Sequence, residues 1–200
     1  MSNTTDGKSS VNCKRLTMFK QLTDTASGTT YASEAYTFNN ELNSVKYTPK
    51  VATASQYGDG VKVEDHVAKD GGTLDVVIRG YKPGDSVFLF GETDDNGTEV
   101  SNAGDIVPYV LVAYHTVRAD GKYNLYKYPK VKWMPQGENA NQQEGSTVNY
   151  GTASLQGTYS PLLSNGDDKY TKYGVDPKND AEFIEKWFTE AAFYQQTEQP

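Results

Sequence analysis

With Cys13 as its single cysteine, the chain can form no internal disulfide, which fits synthesis in a reducing compartment. No run approaches the roughly 18 consecutive apolar residues that a membrane-spanning helix needs. Met1 to Gly7 lack an apolar core, so no secretory leader is expected. Asn3-Thr4-Thr5 and Asn96-Gly97-Thr98 therefore carry little weight as glycosylation acceptors. A cationic surplus is missing too: 19 Lys and Arg stand against 26 Asp and Glu, for a net charge of -7. A general nucleic-acid binder would need a basic footprint instead. Leu, Ile, Val and Phe supply 37 of 200 residues, below the ~20% at which disorder becomes a concern. Fifteen Tyr and two Trp make up the apolar area, since each ring buries roughly 150–250 Å². Tyr, Val and Thr favour pleated surfaces, so the composition points to β structure.

The pattern along the chain supports this. Residues 1–13 are rich in Ser, Asn and Thr and read as a flexible N-terminal arm. The remainder, 14–200, reads as one domain. A strand is expected at 14–22 and another at 44–51, where Val45, Tyr47 and Val51 alternate with polar residues. Pro49 cannot donate to a ladder, so the second strand lies at an edge or is distorted. Residues 52–72 read as a long loop or a projecting hairpin, and Thr73 to Arg79 as a strand. At 83–91 a short helix, capped by Asp85 and ended by Gly91, competes with a buried strand. Tyr109 to Arg118 and Lys122 to Trp133 flank Asp120-Gly121, the signature of a two-residue hairpin turn. A polar loop is expected at 134–146, a strand at 147–160 bent at Gly151 and Gly157, and a loop at 164–174. A C-terminal helix over about 178–194, started by Asp176-Pro177 or Asp180, gathers Phe183, Ile184, Trp187, Phe188 and Ala191 on one face. Phe183, Ile184, Trp187 and Phe188 are its core residues. The fold class is mainly β: a β-sandwich or small barrel with one peripheral and one C-terminal helix.

Chemistry is sparse. His66 lies in the polar loop and His115 in a strand. Isolated histidines are usually structural, and no Gly-x-Ser-x-Gly elbow accompanies them. Asp94-Asp95-Asn96-Gly97 lacks the spacing and distal glutamate of a calcium loop and reads as a solvated turn. Asp59 and Glu64-Asp65 are a conceivable carboxylate pair for glycoside hydrolysis, but nothing in their placement requires it. No phosphate cradle or Cys/His cluster is present. No catalytic residue, cofactor or metal is expected, and no enzyme. Charge is more informative. Residues 83–117 carry six acids and no Lys or Arg, whereas 118–132 carry Arg118, Lys122, Lys127, Lys130 and Lys132 against Asp120. Such blocks suit contact between subunits or, equally, two solvated faces of a monomer.

Four stretches in order resemble the major tail tube proteins of long-tailed, siphovirus-type phages of Gram-positive bacteria. They are Ser44 to Gly60, Gly72 to Ile78, Val107 through Asp120-Gly121-Lys122-Tyr123 to Val131, and Asn149 to Tyr159. The third is the most specific, and the likeness spans roughly 14–190. Pro83-Gly84-Asp85 departs from the helix usual there. The resemblance implies a sandwich of the tail tube type that assembles into stacked hexameric rings. The tube surrounds a tape-measure protein, meets tail terminator and distal tail proteins, and conducts double-stranded DNA without specific binding. It implies a virion location and no membrane partner. Candidate assembly residues are Val45, Tyr47, Val51, Tyr57, Val61, Val63, Arg118 and Lys122. An acidic wall would let DNA slide, where a basic one would hold it. The alternative from another class is a carbohydrate-binding β-sandwich adhesin or other surface module.

Overall fold

A computed structural model describes residues 9–39, 41–59, 61–136, 138–139 and 151–192, with only the backbone at 57–58 and 138–139. Statements below concern these residues. The fold is mainly β. Its strands are β1 (Ser10–Thr25), β2 (Gly28–Tyr31), β3 (Tyr36–Phe38), β4 (Leu42–Gly58), β5 (Val61–Ile78), β6 (Thr93–Asp95), β7 (Thr98–Val100), β8 (Tyr109–Arg118), β9 (Tyr123–Met134), β10 (Glu138–Asn139), β11 (Thr152–Tyr159) and β12 (Tyr170–Val175), and its helices are α1 (Asp85–Phe90) and α2 (Ala181–Thr189).

One antiparallel sheet runs β2-β1-β8-β9-β11-β5-β4, with β3 added to β1, β12 to β9 and β10 to β11. Strands β1 and β4 are remote in this order yet meet in space, where the Cys13 thiol donates to the Asn43 carbonyl at 3.4 Å. The sheet therefore curls on itself, so that a single sheet supplies both layers around the main core. That core takes Leu16 and Met18 from β1, Leu74, Val76 and Ile78 from β5, Tyr128, Val131 and Trp133 from β9, and Leu89 and Phe90 from α1. Strand β8 is buried on both faces. Val110, Val112 and Tyr114 face the main core, while Leu111 and Ala113 face a second core with Phe19, Leu125, Val175 and α2. This explains its continuous apolar run, since a strand covered on both sides loses its polar alternation.

The expected strands at 14–22, 44–51 and 73–79 are present, and the segment at 83–91 is a helix. Asp85 is not its cap: Gly84 holds that place, and the fully buried Asp85 accepts hydrogen bonds from the Tyr36 hydroxyl at 2.5 Å and the Lys82 amide at 2.9 Å. Strand β4 is an edge, and its register also slips between Pro49 and Val51, as a residue without an N–H requires.

Other expectations are corrected. Residues 10–13 belong to β1, paired with β8, rather than to the arm; residues 1–8 lie outside the described set. The 109–133 hairpin turns through Ala119-Asp120-Gly121 rather than two residues. The Gly121 amide bonds the Arg118 carbonyl at 3.0 Å, and Gly121 takes the positive φ of 80°. A three-residue turn needs only this one left-handed position, where the two-residue form needs two. Gly157 is no bend, because β11 pairs with β5 without a slip. It is a seat: a Cβ there would lie 2.7 Å from the Trp133 ring and 3.0 Å from the Lys132 carbonyl oxygen. The expected loop at 164–174 contains β12. Helix α2 is shorter than expected, and its N-cap Asp180 makes no side-chain cap bond. Asp176 does that work on the preceding turn, accepting from the Lys178 amide at 2.8 Å. Most of 134–146, all of 147–150, and 193–194 lie outside the described residues.

Candidate assembly surface

The outer halves of β4 and β5 leave the curled sheet as a hairpin. Its root is a bulge: Pro49 pairs with Gly72 and Val51 with Lys69, so β5 carries one extra residue. Gly71 takes the left-handed conformation there, at φ 59°, with the place of a Cβ only 2.0 Å from the Tyr159 carbonyl oxygen. Glycine at such a bulge re-aims the strand. A second bulge near the tip lies between Gln56 and Tyr57. The root is braced by Lys69, whose ammonium lies 2.6 Å from the Asp168 carboxylate, and the tip by Lys62 and Asp65 at 2.5 Å.

Beyond the root the hairpin touches no core. Every described side chain from Val51 to Asp70 is exposed. Val51, Val61, Val63 and Val67 are 52–69% exposed, an apolar display that an isolated two-stranded ribbon cannot use for its own stability. On its outer side, β4 has no strand partner among the described residues.

The structure thus brings three sequence candidates, Val51, Val61 and Val63, onto one projecting element. Tyr57 pairs through its backbone with Lys62 on the same hairpin; its side chain lies outside the described set. Tyr47 sits lower on β4, partly exposed beneath the Lys169 ammonium at 4.5 Å. Val45 packs partly against the main core. Arg118 is a correction: it is 6% exposed and bonded to Asp120 at 2.9 Å, so it is not on offer to a neighbour. Lys122 remains exposed in the turn. Val67 was missed. Asp65 interrupts the alternation that would have joined it to Val61 and Val63.

The basic block is largely consumed within the subunit. Lys130 pairs with Asp24 at 2.6 Å. Lys127 is fully buried and donates to the Glu190 carbonyl at 3.1 Å, beyond the end of α2. Burial pulls its pKa down to about 8, with Glu190 opposing. Of the six acids in the acidic block only Asp94 and Asp95 are exposed, on the separate β6–β7 hairpin, whereas Asp85 is fully buried and Glu92, Glu99 and Asp105 are half-buried. The Asp94 carboxylate accepts from the Gly97 amide at 2.8 Å, a self-contained turn. Complementary patches built from the two blocks are therefore not what the surface presents.

Neither histidine stands in a catalytic arrangement. His66 faces Ala54 across the open hairpin, where Glu64 and Asp65 also stand, Asp65 holding Ser55 and Lys62. His115 is buried, stacked on Tyr123 at 4.6 Å between ring centroids. Burial, then Arg15 and Lys14, push its pKa from 6.5 down to about 4. Above pH ~6.5 it is neutral folded or unfolded and the full stability is present; between ~6.5 and ~4 only the unfolded chain binds the proton, so stability falls by up to about 3 kcal/mol. The melting temperature of the wild type relative to His115→Gln should therefore drop on going from about pH 7 to about pH 4.5. A pH-independent difference would show that the imidazole is solvated.

Among the described residues no group of three or more His, Cys, Asp or Glu could hold a metal ion, and no helix is long and apolar enough to cross a membrane. No family model matches the chain, and no curated protein matches it either.

Proposed function

We propose that this chain is a structural virion protein, the subunit of a phage tail tube, built as stacked hexameric rings. The observation that carries the reading is the β4–β5 hairpin. Its outer part is long, exposed on every described side chain, lined with valines and aimed by Gly71, and one of its arms, β4, is an edge strand with no outer partner among the described residues. Apolar residues and open edges are liabilities for a free monomer and assets for an ordered assembly. The four-segment resemblance supplies the kind of assembly and its companions: tape-measure protein within, tail terminator and distal tail proteins at the ends. In that setting a net charge of -7 per subunit favours a lumen that passes DNA without retaining it, because fixed cations would hold phosphates through counterion release.

Negative-stain microscopy of the purified chain is the test. Rings or tubes with a central channel are the expected result. A monodisperse monomer retained on a polysaccharide column would favour the carbohydrate-binding adhesin instead.

A further inference from the structure

Away from the hairpin, β1 contains a second irregularity. Its register with β8 runs Lys14 to His115, then Thr17 to Ala113, leaving one extra residue on β1. Arg15 stands in this bulge at φ 56°, a conformation unfavourable for a residue with a Cβ and characteristic of sites where the surroundings impose it. The bulge turns the Arg15 guanidinium onto α2, where it makes two hydrogen bonds to Glu185 at 2.9 and 2.7 Å and lies 4.4 Å from the Phe188 ring centre.

Beside the bulge opens a cavity of about 770 Å³, within the size range of small-molecule sites. Two of its lining residues each carry a buried polar atom with no partner in the protein: the Thr17 hydroxyl, on a side chain 1% exposed, and His115 Nδ1, on one 6% exposed. Buried polar groups are nearly always paired, so two orphans on one cavity need an explanation. Among the described residues Lys14 and Arg15 are the only charged ones lining it, with Phe38 and Phe188 among the apolar ones.

We infer that this cavity is a binding site for a monoanionic carboxylate carrying an apolar body. The charge count selects the ligand. Glu185 compensates Arg15, leaving the single positive charge of Lys14, which matches a carboxylate better than a phosphate dianion. The Thr17 hydroxyl donates to one carboxylate oxygen and the His115 imidazole N–H to it or its neighbour, while Phe38 and Phe188 cover the apolar part. The site is a property of the single subunit and does not depend on tube assembly.

Titration calorimetry on the full chain tests this with hexanoate, hexanol, inorganic phosphate and a blocked Leu-Glu-Leu peptide. Hexanoate or the peptide should saturate in the millimolar range or tighter, with hexanol and phosphate weaker by about tenfold or more. Tighter binding of hexanoate assigns a free acid, and tighter binding of the peptide an acidic chain segment. Thr17→Val and Lys14→Gln should each weaken the preferred probe about tenfold, while Lys62→Gln on the hairpin leaves it unchanged. Lys14 is exposed, so its variant decides the matter even if Thr17→Val does not fold. Absence of saturation by either carboxylate up to about 10 mM, or binding indifferent to Lys14→Gln, overturns the proposal.

Discussion

Trp187→Ala is expected to destabilise the isolated subunit by about 3–5 kcal/mol, the usual cost of emptying a buried tryptophan site. For a chain of this size that corresponds to a fall in melting temperature of about 6–20 °C. The indole is wholly buried in the second core, among Phe19, Leu111, Leu125 and Val175. It also ties the helix to β9. Its Nε1 donates to the Tyr126 carbonyl at 3.4 Å, and its ring lies 5.0 Å from the Lys127 ammonium. Helix α2 has nine residues, too few to persist in water without tertiary packing. Losing the indole should therefore loosen the helix as a unit and leave Lys127, buried and charged, without the aromatic face beside it. Thermal melting of the monomer checks this. An unchanged melting temperature combined with lost assembly would instead put the Phe183, Ile184, Trp187 and Phe188 stripe at a subunit interface.

The helix was legible because its signal is local: apolar residues recur at helical spacing behind an Asp-rich start. The β8–β9 hairpin was legible for the same reason, two apolar runs about an Asp-Gly turn. The failures have a different physical origin. Strand β12 alternates weakly and is held by the outer edge of β9, a partner distant in sequence. Gly157 looks like a breaker until Trp133 is seen lying against it. Arg118, Lys127 and Lys130 read as a basic patch because composition does not show which cations are buried against Asp120, a chain carbonyl and Asp24. The cavity beside Thr17 and His115 was invisible for a further reason. It depends on a bulge, and nothing in Lys14-Arg15-Leu16 announces a left-handed arginine. The hairpin at 52–72 was half legible: its glycines marked a projection, but whether it was looped or paired depended on a register set by Pro49 and Gly71.

That register defines the removal of the hairpin, expected to abolish assembly while sparing the fold. Deleting residues 55–70 outright would join Ala54 to Gly71 and leave β4 residues facing nothing, since Ala54 pairs with His66. The clean excision takes out 52–68 and closes Val51 to Lys69, already partners, through an inserted Asn-Gly, which suits a two-residue turn. This keeps the Gly71 bulge and the Lys69–Asp168 ion pair. Because the removed described side chains are all exposed, the cost to subunit stability should stay within about 1 kcal/mol. Val61, Val63 and Val67 leave together, so any neighbour that covers them loses its contact at once. The expected outcome is a monomer with near-normal melting temperature and no rings or tubes under the microscope. Tubes of normal length from the excised chain would refute the assembly role of the hairpin. Misfolding would instead show that the outer ribbon stabilises the sheet it leaves, against the exposure of every described side chain along it.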